Sequence, residues 1–234
     1  MNGKNQKIMI WIGVVMANVF TLAFVYLLDF WPLPQPAFSA AQVLELYTRH
    51  NLQSRFGVVT MCLTSCFMLP WTVVIVAQMY RLEKGFPIWT VLAGLAGTLG
   101  TWLFAFPTMI WGVAAFMVDR DPNITLMLHQ FAFLMFIAPA NFFLMQTVPI
   151  AVVSLSPNNT DPYTAFPRWL GWATLWTGIL GSSGIMAFVF NVGPFAWNGL
   201  ISFYLPVVVF TAWIIAFIYC LLRAISQQQR AGQC

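Results

Sequence analysis

The sequence predicts an all-α integral membrane protein with six transmembrane helices and both termini on the cytoplasmic side. The main observation is a set of six apolar runs that contain no Asp, Glu, Lys or Arg. Each run reaches the roughly 20 residues that a helix needs to cross a bilayer. The runs lie at residues 8–28, 56–80, 87–118, 128–153, 169–190 and 199–222.

Composition supports the same class. Hydrophobic residues make up 60% of the chain, charged residues 7%, and the mean hydropathy is +0.80. Soluble domains carry about 25% charged residues. These values exclude a soluble globular protein and a disordered chain, and they leave a single membrane domain over residues 1–234.

Basic residues predict the orientation, because positive charge is retained on the cytoplasmic side of a membrane. With the N-terminus inside, seven of the ten basic residues fall in the cytoplasm. The inner set is Lys4, Lys7, Arg81, Lys84, Arg168, Arg223 and Arg230, and the outer set is Arg49, Arg55 and Arg120. This bias predicts a multi-pass protein of the inner (cytoplasmic) membrane. The net charge of +4 follows from that orientation, so no nucleic-acid partner is expected.

The first run, 8–28, resembles a signal peptide because Lys4 and Lys7 precede it. It is longer than the apolar core of a signal peptide, which spans about 7–15 residues. Asp29 and Phe30 also follow it where a cleavage site would need small residues. We therefore expect it to remain as the first span.

The first outer loop predicts a short amphipathic helix at the membrane surface. Its WPLPQP start at 31–36 cannot sustain helical hydrogen bonding. Ser39 and Gln42 then form the pattern of a capping box, in which each side chain bonds the other residue's backbone N–H. Val43 and Tyr47 follow with Leu46 on one apolar face.

The remaining loops are short, and an internal echo connects two parts of the chain. LPWTVV at 69–74 and VPIAVV at 148–153 are each followed by FPxW, and two glycines three residues apart come later in both copies. The echo predicts a possible two-helix repeat, 58–100 and 137–181, in parallel orientation. Chance similarity between apolar segments is the alternative.

Proline and amide residues in the fourth span predict a ligand site at mid-membrane depth. Pro139 interrupts the span and frees a carbonyl, while Asn141 and Gln146 place amides beside it. Broken helices of this kind form substrate sites in transporters. Trp102 and Trp176 lie deep in their spans and could line a pocket for a flat apolar molecule. The alternatives are a simple kink at Pro139, packing for the two amides, and helix packing or lipid contact for the two tryptophans.

Other polar residues favour structural roles. Asn18 in the first span is expected to make an interhelical hydrogen bond. Small residues four apart, such as Ala93 with Gly97, favour close helix packing. His50, His129, Glu45, Cys62 and Cys66 are metal-ligand types without a binding motif, so we expect solvated histidines, packing cysteines and no bound metal or cofactor.

Three short segments carry a resemblance. FPRWLGW at 166–172, GPFAWNGL at 193–200 and the DRDP turn at 119–122 are similar to segments of small polytopic bacterial membrane proteins. The resemblance covers most of the chain. It implies a polytopic membrane protein of a bacterial type and no particular activity.

Two functions remain. The spans contain no ionisable pair, so catalysis and ion-coupled transport are not expected. The first function is a non-enzymatic membrane protein that binds an uncharged or apolar small molecule or facilitates its passage, alone or as a homo-oligomer in the lipid bilayer. The alternative is an accessory or structural subunit of a larger membrane complex. The mass of the gently extracted particle would separate them, because co-purifying chains favour the second.

Overall fold

The computed structural model describes residues 2–138 and 141–233, and the regular secondary structure of that part of the chain is helical, with no strand. The all-α prediction is therefore confirmed. The α-helices are α1 Gly3–Leu22, α2 Ala40–Thr48, α3 Asn51–Thr64, α4 Met68–Tyr80, α5 Ile88–Gly100, α6 Trp102–Phe116, α7 Pro122–Ile137, α8 Asn141–Leu155, α9 Arg168–Gly181 and α10 Leu205–Arg230. Two π-helical turns, Ala23–Leu27 and Leu200–Tyr204, and a 3₁₀ helix, Ser182–Phe188, complete the set.

Within the described residues, five helical stretches are long and apolar enough to cross a membrane, as expected for a membrane protein. They are Gly3–Leu27, Asn51–Tyr80, Ile88–Phe116, Pro122–Leu155 and Leu200–Arg230. Each coincides with one of the apolar runs in the sequence. The remaining run, 169–190, is formed by α9 and the 3₁₀ helix that follows it, and it does not belong to these five.

Several stretches that the sequence presents as continuous are interrupted near their middle. Residues 65–67 form a turn between α3 and α4, and Thr101 separates α5 from α6. Pro70 accounts for the first interruption, because proline lacks an N–H and its ring clashes with the carbonyl four residues earlier. At the second, Gly100 is a weak helix former, and the Thr101 hydroxyl donates to the Thr98 carbonyl at 2.7 Å.

Close helix packing at small residues is confirmed at two glycines. An added Cβ at Gly97 in α5 would collide with the side chains of Gln146 and Thr72. One at Gly178 in α9 would collide with the Thr147 hydroxyl. Because Gly97 and Gly178 have only a hydrogen atom instead of a side chain, α8 can lie close to both α5 and α9.

Both chain termini lie at one end of the bundle, which we call the termini end. Three buried glutamines from α1, α4 and α10 meet there: Gln78 Nε2 donates to Gln6 Oε1 at 2.7 Å and to Gln228 Oε1 at 3.1 Å. Gln228 Nε2 donates in turn to Gln78 Oε1 at 2.9 Å and to the Tyr163 carbonyl at 2.9 Å. The α8–α9 connection therefore lies at the termini end as well. The α4–α5 connection lies there too, because Arg81 donates to Gln233 Oε1 at 2.9 Å.

The connections that follow α1, α6 and the 3₁₀ helix meet at the opposite end. Trp197 Nε1, in the segment between the 3₁₀ helix and α10, donates to the Pro34 carbonyl at 2.8 Å. Asn51 Nδ2 at the start of α3 donates to the Ala115 carbonyl at 2.8 Å near the end of α6. The chain from Tyr163 to Trp197 thus passes from the termini end to the opposite end.

Helix α2 at the opposite end is confirmed. The capping box is formed: Gln42 N donates to Ser39 Oγ at 3.4 Å, and Ser39 N donates to Gln42 Oε1 at 2.9 Å. Val43 and Tyr47 are buried within the protein. The apolar face of α2 therefore packs on the helical bundle, and the location of this helix at the outer membrane surface stays a prediction.

We predict that Gln78→Leu lowers the free energy of unfolding by about 1–3 kcal/mol, the usual cost of removing one partner from a buried hydrogen bond. Gln227→Leu is the matched control, since Gln227 is half-buried on α10 and outside the glutamine network. Unfolding titrations in SDS would measure both variants. Equal stability of the two would contradict a stabilising role for the network.

Candidate ligand cavity

The site residues that the sequence suggests are dispersed in the structure. Gln146 is buried and donates from Nε2 to Thr72 Oγ1 at 3.2 Å, which is a helix-packing contact. Asn141 is exposed at the first residue of α8, and Trp102 and Trp176 are 54% and 60% exposed on the outside of the bundle. Pro139 lies outside the described residues. None of the other four lines the cavity described next.

A cavity of about 510 Å³ lies inside the bundle. Its walls come from α1 and its π-helical turn, the start of α4, the end of α5, the first turn of α6, parts of α7, α8 and α9, and α10 with the π-helical turn before it. Pockets for small organic ligands occupy about 300–1,000 Å³. The cavity is therefore large enough to hold one small organic molecule.

The cavity lies at the level where the helices are interrupted. Lining residues occur at each interruption: Phe67 and Met68 between α3 and α4, Gly100 and Leu103 around Thr101, Ile137 and Phe143 at the ends of α7 and α8, Gly181 before the 3₁₀ helix, and Phe203 and Pro206 around the start of α10. An added Cβ at Gly100 would meet no atom within 4 Å. Interrupted helices cannot interdigitate their side chains regularly, and space remains between them.

The lining is apolar and uncharged. Aromatic and aliphatic side chains dominate it, and no Asp, Glu, Lys, Arg or His belongs to it in the described part of the chain. Two lining hydroxyls bond to their own helix: the Thr21 hydroxyl donates to the Ala17 carbonyl at 2.9 Å, and the Thr177 hydroxyl to that of Ala173 at 2.8 Å. Such walls favour an uncharged ligand.

Asn18 departs from its expected role. Its Nδ2 donates to the Val14 carbonyl at 2.8 Å, within α1. Asn18 therefore makes no interhelical hydrogen bond with the residues that the structure describes, in contrast to the expectation from the sequence. Asn18 lines the cavity instead, with its side chain exposed to that space.

The environment of His129 differs from the one that the sequence predicted. Instead of being a solvated loop residue, it is buried in α7, and its Nδ1 hydrogen-bonds the Tyr47 hydroxyl at 2.9 Å. The rings of Phe30, Phe133 and Trp197 surround it. The missed signal was Tyr47 on the apolar face of α2, because a buried tyrosine hydroxyl needs a partner.

The region around His129 retains unbonded polar atoms. His129 Nε2, Trp111 Nε1 and Thr125 Oγ1 are buried, with no hydrogen-bond partner in the described part of the chain. No group of three or more His, Cys, Asp or Glu side chains that could hold a metal ion occurs among the described residues. The hydrogen bond between Tyr47 and His129 joins α2 to α7.

We predict that Tyr47→Phe destabilises the protein most below about pH 10 and progressively less above it. Burial raises the pKa of the Tyr47 hydroxyl above its ordinary value, so the unfolded chain loses this proton first as the pH rises. The stabilisation by the neutral hydroxyl is thus present below about pH 10 and is lost at higher pH. Unfolding measured at pH 7–11 tests this. Tyr26→Phe, at a 68% exposed tyrosine, is the control, and parallel pH curves for Tyr47→Phe and the unmodified protein would contradict it.

Comparison with known proteins assigns no relative. No protein-family model, curated protein or solved structure matches the chain.

Proposed function

We propose that the protein is a non-enzymatic, polytopic membrane protein that binds an uncharged, largely apolar small molecule or facilitates its passage. The observation that carries this proposal is the uncharged cavity of about 510 Å³ at the level of the helix interruptions. A charged ligand would lose its hydration there without a compensating charge. An apolar ligand loses no such interaction and gains contact with aromatic walls.

In this proposal the ligand contacts the cavity walls and not the residues first suggested by the sequence. Gln146 is occupied in packing with Thr72, and Trp102 and Trp176 face outward. The cavity nevertheless borders the same interruption of the fourth span, through Ile137 and Phe143. The broken helix remains relevant, since it leaves the space that the ligand would fill.

We further propose six crossings, with both termini in the cytoplasm of a cell bounded by this membrane. The contacts of Gln78 with both Gln6 and Gln228, which lie near the two ends of the chain, support an even number of crossings. The passage of 163–197 to the opposite end supports α9 with its 3₁₀ helix as the additional crossing. The bias of basic residues supports the cytoplasmic assignment of the termini end and the inner membrane as its location.

Filling the cavity should abolish binding without unfolding the protein. The change is Gly100→Phe, because the added side chain enters open space and glycine is a poor helix former. We expect photolabelling by a diazirine-bearing C16 hydrocarbon in phosphatidylcholine vesicles to fall by about fivefold or more, with the label mapped by mass spectrometry to cavity residues in the unmodified protein.

The matched control for this experiment is Leu99→Phe. Leu99 is the neighbouring residue on α5, is 47% exposed and does not line the cavity. Its replacement should leave labelling unchanged. Labelling of Gly100→Phe equal to that of the control, with both proteins folded, would exclude the cavity as the binding site.

Topology can be tested by cysteine labelling in a background without native cysteines. Lys84, Asn158 and Asp121 are exposed, and the first two belong to the termini end. Single cysteines at Lys84 and Asn158 should react in intact cells only with membrane-permeant reagents, and one at Asp121 also with impermeant ones. Labelling of the cysteine at position 158 by an impermeant reagent in intact cells would contradict the proposed topology.

A further inference from the structure

We infer that the ligand is a membrane-dissolved lipid with one uncharged hydroxyl or carbonyl group, and that it enters sideways from the bilayer between α1 and α10. The inference rests on the proposed function, since it names the ligand class and the entrance of the same cavity. Three observations carry it: the position of the opening, the closure above and below it, and two unbonded polar groups at its edges.

The opening lies between α1 and α10. Six lining residues are exposed, and all belong to these two helices or to the segment after α1: Asn18, Thr21, Trp31, Val207, Thr211 and Ile215. The lining residues of α4, α6, α7, α8 and α9 are buried or half-buried. The cavity therefore opens on the side where α1 and α10 separate.

Contacts close the opening at both ends of the bundle. At the termini end, Lys7 Nζ donates to Gln229 Oε1 at 2.8 Å, beside the buried glutamine network that joins α1 to α10 through Gln78. At the opposite end, the Trp31 ring packs against Tyr204, with 5.7 Å between ring centroids. Access from water at either end is thus obstructed. The opening lies between these closures on two membrane-spanning helices, where the surrounding medium is lipid hydrocarbon.

Two polar groups at the opening are unused. Asn18 donates one N–H to the Val14 carbonyl. Within the described residues, neither its own carbonyl oxygen nor the Thr211 hydroxyl makes a hydrogen bond. Thr21 and Thr177 in the same lining do bond to their own helices. Unbonded polar groups at membrane depth are costly. A ligand hydroxyl could donate to the Asn18 carbonyl oxygen and accept from the Thr211 hydroxyl, whereas a ligand carbonyl could accept from the Thr211 hydroxyl.

The lining also selects against ions. It contains no charged side chain in the described part of the chain, so a carboxylate, phosphate or ammonium head would be desolvated without a partner. The ligand's polar group is therefore neutral, and its remaining surface is hydrocarbon that matches the aromatic walls. A neutral long-chain or polycyclic alcohol or ketone has this chemistry.

Three photoreactive probes test the ligand class. They are diazirine-bearing C16 chains that end in a hydroxyl, a methyl or a carboxylate group, each incorporated at equal density in phosphatidylcholine vesicles with the full-length protein. The alcohol should label the cavity about fivefold more than the hydrocarbon, the effect of one net hydrogen bond. The carboxylate should label it least.

Variants identify the groups responsible. Asn18→Leu should reduce labelling by the alcohol to that by the hydrocarbon and leave the hydrocarbon labelling unchanged, and Thr211→Val should act in the same direction. Thr98→Val is the control, because Thr98 is exposed on α5 outside the cavity and bonds the Gly94 carbonyl. Because the hydrocarbon signal persists in the Asn18 variant, misfolding is distinguished from lost recognition.

The entrance is tested by a neighbouring pair of substitutions. Val207 lines the opening, whereas Val208 is 65% exposed and does not line it. Val207→Trp should lower the rate of labelling by vesicle-borne alcohol at least severalfold, and Val208→Trp should not. Equal rates for the two variants would overturn the lateral entrance.

The outcomes separate this inference from the proposed function. Equal labelling of the unmodified cavity by all three probes would overturn the ligand class, while the loss of labelling in Gly100→Phe would still support a binding cavity. No labelling of the cavity by any probe, with no effect of Gly100→Phe, would remove the proposed function itself.

Discussion

The structure depends on one constraint: within an apolar medium, each backbone N–H and carbonyl must find a partner, and helices satisfy nearly all of them internally. An interruption is then tolerated only where other protein groups or a cavity border it. Pro70 forces such an interruption between α3 and α4, and others follow at Thr101 and at the ends of α9 and α7. Their common level explains why the internal space is found there and not at an end of the bundle.

The glutamine network has the complementary role. Gln6, Gln78 and Gln228 are almost fully buried, and an unpaired amide would be costly in that position. Their mutual hydrogen bonds join α1, α4 and α10 at the termini end. Nothing comparable joins α1 to α10 within the described residues at cavity level, where the exposed lining residues lie. One pair of helices is thus held together at one end and separated at mid-depth.

Glycine has opposite consequences at two nearby positions of α5. At Gly97 the missing side chain admits Gln146 and Thr72, so α8 and α4 pack closely against α5. Gly100 lies about one turn later and lines the cavity. A Cβ added there would have no neighbouring atom within 4 Å. The same residue type therefore permits close packing in one place and contributes to an open space in the other.

The sequence by itself indicated a membrane environment and a helical fold. The reason is that uncharged apolar runs of about 20 residues have the length and composition of helices that cross a bilayer. It also determined the start of α2, since a capping box depends only on residues three positions apart. Only the tertiary structure decided that Gln146 packs against Thr72, that His129 bonds Tyr47, and that Asn18 lines a cavity. The physical reason is that the residue pattern of a helix that is apolar on all sides does not indicate which face packs against which neighbouring helix. Partners and cavities arise from contacts between residues far apart in the chain.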